Sequence, residues 1–335
     1  MEQMRPSGTQ SRARQILGHE SAALFFILIG LIFGIGGLSG GNSLSRLNAT
    51  NVLLQSSIKG VAAVGQAFII LTAGIDVSVG GMGLFASAMG AALVSSSWES
   101  ILGHPIAWGL GILAMLGASI GWGAINGILV SRVGIPALIS TLGLWQITTG
   151  AAFEVIKGKS VGGLPEAINW FGQGTVAGVP VPVIVFIVVA VIAYLILNYT
   201  SYGRSIYAVG GNPVSAWLSG IDVRKVMFTV FLISGFLSGL TAILQLGRVE
   251  SASMNSLSGL EIDTIAAVAI GGVSLMGGRG NLIGVVLGTL IVGVISNGLS
   301  ILRASPPLIR IAKGAIVIAA VVIDYVRRKR TAEVV

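Results

Sequence analysis

The chain is a succession of ten long, nearly uncharged runs, and nothing else in it constrains the fold as strongly. The densest, VPVIVFIVVAVIAYLIL, lies in residues 180–198. The others fall at 22–38, 52–73, 78–95, 106–130, 134–153, 226–246, 261–276, 282–302 and 308–326. A helix of about 20 apolar residues crosses the ~30 Å hydrocarbon core of a bilayer. The pattern predicts an all-α polytopic membrane protein of about ten transmembrane helices. The third and eighth runs are short and glycine-rich, so broken or re-entrant helices are expected there. Hydrophobic residues at 54% exclude a disordered chain, and charged residues at 10% are too few to coat a soluble domain.

The formal net charge of +8 is scattered in the spacers and at the two ends rather than along one stripe. That placement argues against a nucleic-acid partner and for the enrichment of lysine and arginine in cytoplasmic loops. With the N-terminus in the cytoplasm, twelve basic residues fall inside and six outside, while Lys59 and Lys313 lie within spans. Both termini are therefore expected on the cytoplasmic side of the membrane, with RRKR at 327–330 anchoring the last span. Residues 1–20 read as a basic cytoplasmic tail, 21–326 as the transmembrane domain and 327–335 as a second tail. The first run is long for a signal peptide and reads as an uncleaved anchor. The longest outer connection, 154–179, is expected to carry a short surface helix. The chain has no cysteine and two distant histidines, His19 and His104, so neither a disulfide framework nor a metal site is expected.

Small-xxx-small pairs recur at Gly30/Gly34, Gly117/Gly121, Gly123/Gly127, Gly235/Gly239 and Gly284/Gly288. They permit close helix contact in lipid, for most of them within one subunit. Catalytic signatures are sparse. Gly158-Lys159-Ser160 ends like a phosphate-binding loop, but Phe153 stands where its first glycine belongs, and no H-E-x-x-H is present. The chain itself is expected to hydrolyse no nucleotide and to hold no cofactor.

Polar residues inside apolar runs are the remaining candidates. Asp76 and Ser78 sit among Gly74, Gly80, Gly81 and Gly83. They either cap the third helix or face a cavity at a helix break. Gln66, Asn126, Gln146, Gln245, Asp263 and Asn297 each fall in or near a span. Such groups either glue helices together or line a path, and as a set they suit a hydrated, hydroxyl-rich solute. Arg248 and Glu250, at the outer end of the seventh run, either meet a periplasmic partner or are solvated rim charges.

The inner segment 202–225 is the most informative. It reads YGRSIYAVGGNPVSAWLSGIDVRK. Gly210-Gly211 is expected to turn, Asn212 to cap a short helix with Pro213 in its first position, and Gly220 to end it. A short helix held along the cytoplasmic surface, with no lysine on its polar face, is a docking element rather than a lipid-surface helix.

Three stretches resemble the membrane permease subunit of bacterial sugar ATP-binding-cassette importers of the ribose, xylose and galactose type. They are GIDVSVG at 74–80, YGRSIYAVGGNPVSAWLSGI at 202–221 and EIDTIAAVAIGGVSLMGGRG at 261–280. Their order and spacing fit from about residue 50 to the C-terminus. Ser215 and Trp217 depart from the family's usual alanine and basic residue. The resemblance implies a cytoplasmic coupling helix formed by Gly211, Asn212, Pro213, Ala216, Leu218, Gly220 and Ile221. It implies two partner ATPase subunits that use ATP and magnesium, a second permease chain (identical or a sister), and a periplasmic sugar-binding protein. It implies no catalytic residue in this chain. Two other readings stand beside it: an ion-coupled secondary transporter, which leaves the short inner helix without a task, and a membrane enzyme, which lacks the clustered Asp, His or Arg it needs. Within the importer reading, the solute is a monosaccharide, a nucleoside or a sugar-derived signal.

Overall fold

A computed structural model describes residues 8–98 and 102–332. The expected tail positions 1–7 and 333–335 lie outside the described residues. Thirteen α-helices follow one another: α1 Gly8–Leu38, α2 Arg46–Leu71, α3 Val79–Val94, α4 Trp108–Ile128, α5 Ala137–Ile156, α6 Glu166–Gln173, α7 Val181–Tyr199, α8 Ser201–Gly211, α9 Pro213–Leu218, α10 Val223–Val249, α11 Leu260–Ile270, α12 Leu282–Ile301 and α13 Pro306–Ala332. A two-stranded antiparallel ribbon, β1 Thr175–Val176 with β2 Val179–Pro180, precedes α7.

The helices begin where short polar side chains can take orphan amides. Ser45 accepts from Asn48 N ahead of α2, Asp222 from Lys225 N ahead of α10, and Asn281 from Ile283 N ahead of α12. Helix α2 forms the centre of the bundle. Its residues from Ile58 to Leu71 are buried almost without interruption, against α7, α10, α11 and α12. Helix α10 is the second pillar and packs on α3, α4 and α6. By contrast, Ile187, Val188, Val191, Ile192 and Leu195 of α7 are about half exposed, as a helix facing lipid requires.

Among the described residues, six helices are long and apolar enough to cross a membrane: α1 (from Ser21), α2, α4 with its π-helical extension to Val133, α7, α10 and α12. At 16 and 11 residues, α3 and α11 are too short to do so unaided, in keeping with the expected broken spans. The connections nevertheless gather at two ends of the bundle. At one end, Gly278 N donates to Leu71 O (2.9 Å), and Tyr207 OH on α8 donates to Gly280 O (3.1 Å). At the other, Val161 and Ala252 form a β-bridge, Ser96 N donates to Gly163 O, and Gln173 reaches the end of α10.

Three of the five glycine pairs pack within the chain. Gly123 and Gly127 lie against the backbone of α10 at Phe231 and Phe228. Gly235 and Gly239 answer from α10 against Ser119. Gly284 and Gly288 press α12 onto the carbonyls of Gly271 and Ala267 in and after α11. A β-carbon at Gly30, Gly34, Gly117 or Gly121 would meet nothing within 4 Å among the described residues.

The short helix expected in the outer connection 154–179 is α6, and it packs on the end of α10: Ile168 is buried and Gly172 lies on the backbone of Gly247 and Arg248. Two expectations change. Helix α1 begins at Gly8, well inside the region read as a tail. Gly210-Gly211 is not a turn but the last turn of α8. Its glycine serves close approach, because a β-carbon on Gly210 would strike Leu71 O and Gly278 N. The chain reverses instead at Asn212, which has an extended backbone.

Candidate functional site

Four of the polar residues singled out in the sequence meet at one place, the break between α2 and α3. Asp76 is fully buried there. Its Oδ1 accepts from Ser78 N (2.8 Å) and Ser78 Oγ (2.6 Å), and its Oδ2 accepts from Ser234 Oγ on α10 (3.0 Å). Ser78 Oγ in turn accepts from Asn126 Nδ2 on α4 (2.8 Å), and Asn126 Oδ1 accepts from Ser140 Oγ on α5 (2.9 Å). Gln66, on the last turns of α2, spans the Asp76 backbone. In the orientation that satisfies both its ends, its amide donates to Asp76 O (3.0 Å) and accepts from Asp76 N (3.2 Å). The cluster therefore ties α2, α4, α5 and α10 to the start of α3 through a carboxylate that only accepts. Both capping and cavity-facing roles had been open for Asp76. It takes the amide of Ser78 just ahead of α3, while the Ser78 side chain makes no cap bond of its own.

Asp263 and Asn297 lie apart from this cluster. Asp263, on α11, forms ion pairs with Lys59 of α2 (2.7 Å) and Lys313 of α13 (2.7 Å). Sequence reasoning had noted both lysines inside spans and assigned them nothing. The signal was present: a lysine in an apolar span needs an anion, and few exist in this chain. Asn297, near the end of α12, exchanges two amide hydrogen bonds with Asn48 of α2 (2.9 and 3.0 Å) at the opposite end of the bundle from Asp76. Gln245 donates to Ser256 O (3.1 Å), whereas Gln146 is exposed on α5.

Arg248 and Glu250 end α10. Glu250 is its left-handed C-cap (φ 57°), and Gln173 of α6 donates to both Arg248 O (3.1 Å) and Glu250 Oε1 (2.6 Å). Residues 117–121 read GASIG, the letter pattern of a hydrolase nucleophile elbow. Ser119 is instead buried in mid-α4 and donates to Met82 O (3.4 Å), without the strand–turn–helix such a nucleophile needs.

The inner knob is built from both sides. Asn212 Oδ1 accepts from Val214 N and Ser215 N (both 3.0 Å), and Pro213 occupies the first turn of α9. At the far end, Gly220 adopts φ 84°, Gly220 N donates to Trp217 O (2.9 Å) and Ile221 N to Ala216 O (3.1 Å). This pair of bonds is a Schellman end. Ala216 is buried beneath, whereas Val214, Trp217 and Leu218 are 64–72% exposed on successive turns. Helix α8 presses this unit onto the bundle. Burial pushes the ionisation of Tyr207, whose hydroxyl donates to Gly280 O, above the ordinary phenol value.

These features define the class: an all-α polytopic membrane protein whose short helices and polar break sit inside a helical bundle that carries a capped knob at one end. The chain belongs to the family of permease components described as the branched-chain amino acid transport system type, which it matches over residues 48–321. It is 36% identical over 281 residues to the ribose import permease protein of Escherichia coli strain K12, covering 83% of this chain and 85% of that one. It is 38% identical over 301 residues to the D-allose transport system permease protein of the same strain, 90% of each chain. With the fructose import permease protein of Rhizobium meliloti it shares 34% identity over 317 residues, 92% and 86% of the two chains. No solved structure matches it.

Proposed function

We propose that the chain is the translocation subunit of an ATP-driven importer of a monosaccharide. Its knob, Gly211 to Ile221, docks on a separate cytoplasmic ATPase that supplies the ATP and magnesium chemistry. A periplasmic binding protein delivers the sugar at the opposite end, where Arg248 and Glu250 lie. A second permease chain completes the pathway, and about ten crossings place both termini in the cytoplasm. The observation that carries this reading is the exposed apolar face of α9, Val214, Trp217 and Leu218, on a helix capped at both ends. A six-residue helix with such a face is stable only if anchored and makes sense only if covered. The names of the three relatives given above, for ribose, D-allose and fructose, support the solute class.

Nucleotide-driven closure of the ATPase pulls the knob and biases a two-state bundle between inward- and outward-open forms. Tagged chain should therefore co-purify an ATP-hydrolysing partner whose rate rises when sugar-loaded periplasmic extract is added. Transport that proceeds without a partner, or that survives ATP depletion and collapses with an ion gradient, would overturn the reading. A sharper test is Gly220→Val. A β-branched residue at φ 84° costs roughly 1–3 kcal/mol of local strain and unseats the Schellman end. ATP hydrolysis should continue while sugar uptake falls severalfold, with the protein still in the membrane. Normal uptake would remove α9 from the coupling role.

A further inference from the structure

Lys59, Asp263 and Lys313 are the one place where two cations share a single anion in the described part of the bundle. Lys313 Nζ sits 2.7 Å from Asp263 Oδ1 and 3.0 Å from Oδ2, and Lys59 Nζ sits 2.7 Å from Oδ2. Asp263 is the buried member, 4% exposed. The lysines above it are 32% and 22% exposed, so positive charge is what the open side presents. Glu261, the other acid on α11, lies against Gly80 at the start of α3.

The position matters as much as the charge. Lys59 has 13 residues of α2 before it and 12 after it. At 1.5 Å per residue it stands roughly 20 Å from either helix end, too deep for a four-carbon stem to reach headgroups. Each ammonium has three donors, and among the described residues Asp263 is the partner of both. Unused ammonium donors at this depth are not tolerated in hydrocarbon, so water or a polar solute must meet them.

We propose that Lys59 and Lys313, positioned by Asp263, form a hydrated station in the translocation path that hydrogen-bonds neutral hydroxylated solutes and repels cations. The solute's identity rests on the importer reading above; the electrostatics of the station do not. A fixed positive charge in a narrow aqueous passage excludes protons and metal ions, yet lets a sugar hydroxyl replace water on an ammonium. Such a station would let a pump pass sugar without discharging the membrane.

The absence of cysteine from the chain makes the test clean. Lys59→Cys and Lys313→Cys each leave one ion pair to Asp263 in place. In membranes holding the assembled transporter, each thiol is treated with a water-soluble anionic or cationic thiosulfonate, and the rates are divided by those for a free thiol. Both should react, and because the lysine that remains is neutralised by Asp263, neither reagent should be strongly preferred; adding Asp263→Asn leaves that lysine unneutralised, and the anionic reagent should then react about tenfold faster in relative rate. Ile187→Cys, on the lipid-facing side of α7, should not react. If neither lysine position reacts, no water reaches the station. If the anionic reagent gains no advantage when Asp263→Asn is added, the station does not select charge. Either result overturns the proposal even where sugar uptake is intact, whereas loss of ATP-dependent uptake by the unsubstituted transporter overturns the importer reading alone. Should one variant fail to reach the membrane, the other carries the same test.

Discussion

Asp76→Ala should prevent the permease from accumulating in folded form. Three buried donors, Ser78 N, Ser78 Oγ and Ser234 Oγ, lose their acceptor at once. A buried polar group left unpaired costs about 1–3 kcal/mol, so the total reaches several kcal/mol, a large part of a typical folding margin. The measurement is the fraction of protein that is monodisperse in detergent, together with its thermal midpoint, and both should drop well below the wild type. Asp76→Asn keeps an acceptor for Ser78 and should recover most of the stability. If that variant folds yet fails to transport, Asp76 also serves the solute. If Asp76→Ala is stable and transports normally, the cluster neither holds the bundle nor lines the path.

Gly210→Val should abolish uptake, by about tenfold or more, while its neighbour tolerates change. A β-carbon at 210 collides with Leu71 O and Gly278 N, backbone atoms that cannot rotate away. Overpacking of this kind costs about 1–3 kcal/mol or more and is relieved only by lifting α8 off the bundle. Nothing in this chain lies within 4 Å of the corresponding position at Gly211, so Gly211→Ala should leave the packing of α8 and the thermal midpoint in detergent near the wild type, where Gly210→Val lowers it. The pair separates a packing requirement from a general intolerance of side chains in this segment. Normal uptake by Gly210→Val would show that the α8 contact with Leu71 and Gly278 does not matter to transport.

Much of the bundle was readable before any coordinates, because apolar run length and local capping are both local properties. Asn212, Pro213 and Gly220 bracket α9 almost where their chemistry says, and the short glycine-rich runs became α3 and α11. What could not be read depends on contacts between distant segments. Gln66, Asp76, Ser78 and Asn126 were recognisable as polar intruders, but their mutual satisfaction joins residues up to 60 positions apart in sequence. Lys59 and Asp263 lie 204 positions apart, and only the fold brings them within 2.7 Å. The Gly210-Gly211 reading failed for the same reason. Two glycines suit a reversal by local preference, yet here at least the first is demanded by a neighbour's backbone.

The double clamping of α9 also sets how motion crosses the membrane face. A linker with play would soak up the first ångströms of any displacement. Here Asn212, the Schellman end and the Asp222 cap that opens α10 leave no slack residue between α8 and α10. On the proposed docking the knob is a lever rather than a spring: a stroke made by the ATPase would arrive at α10, and hence at Ser234 beside Asp76, nearly undiminished.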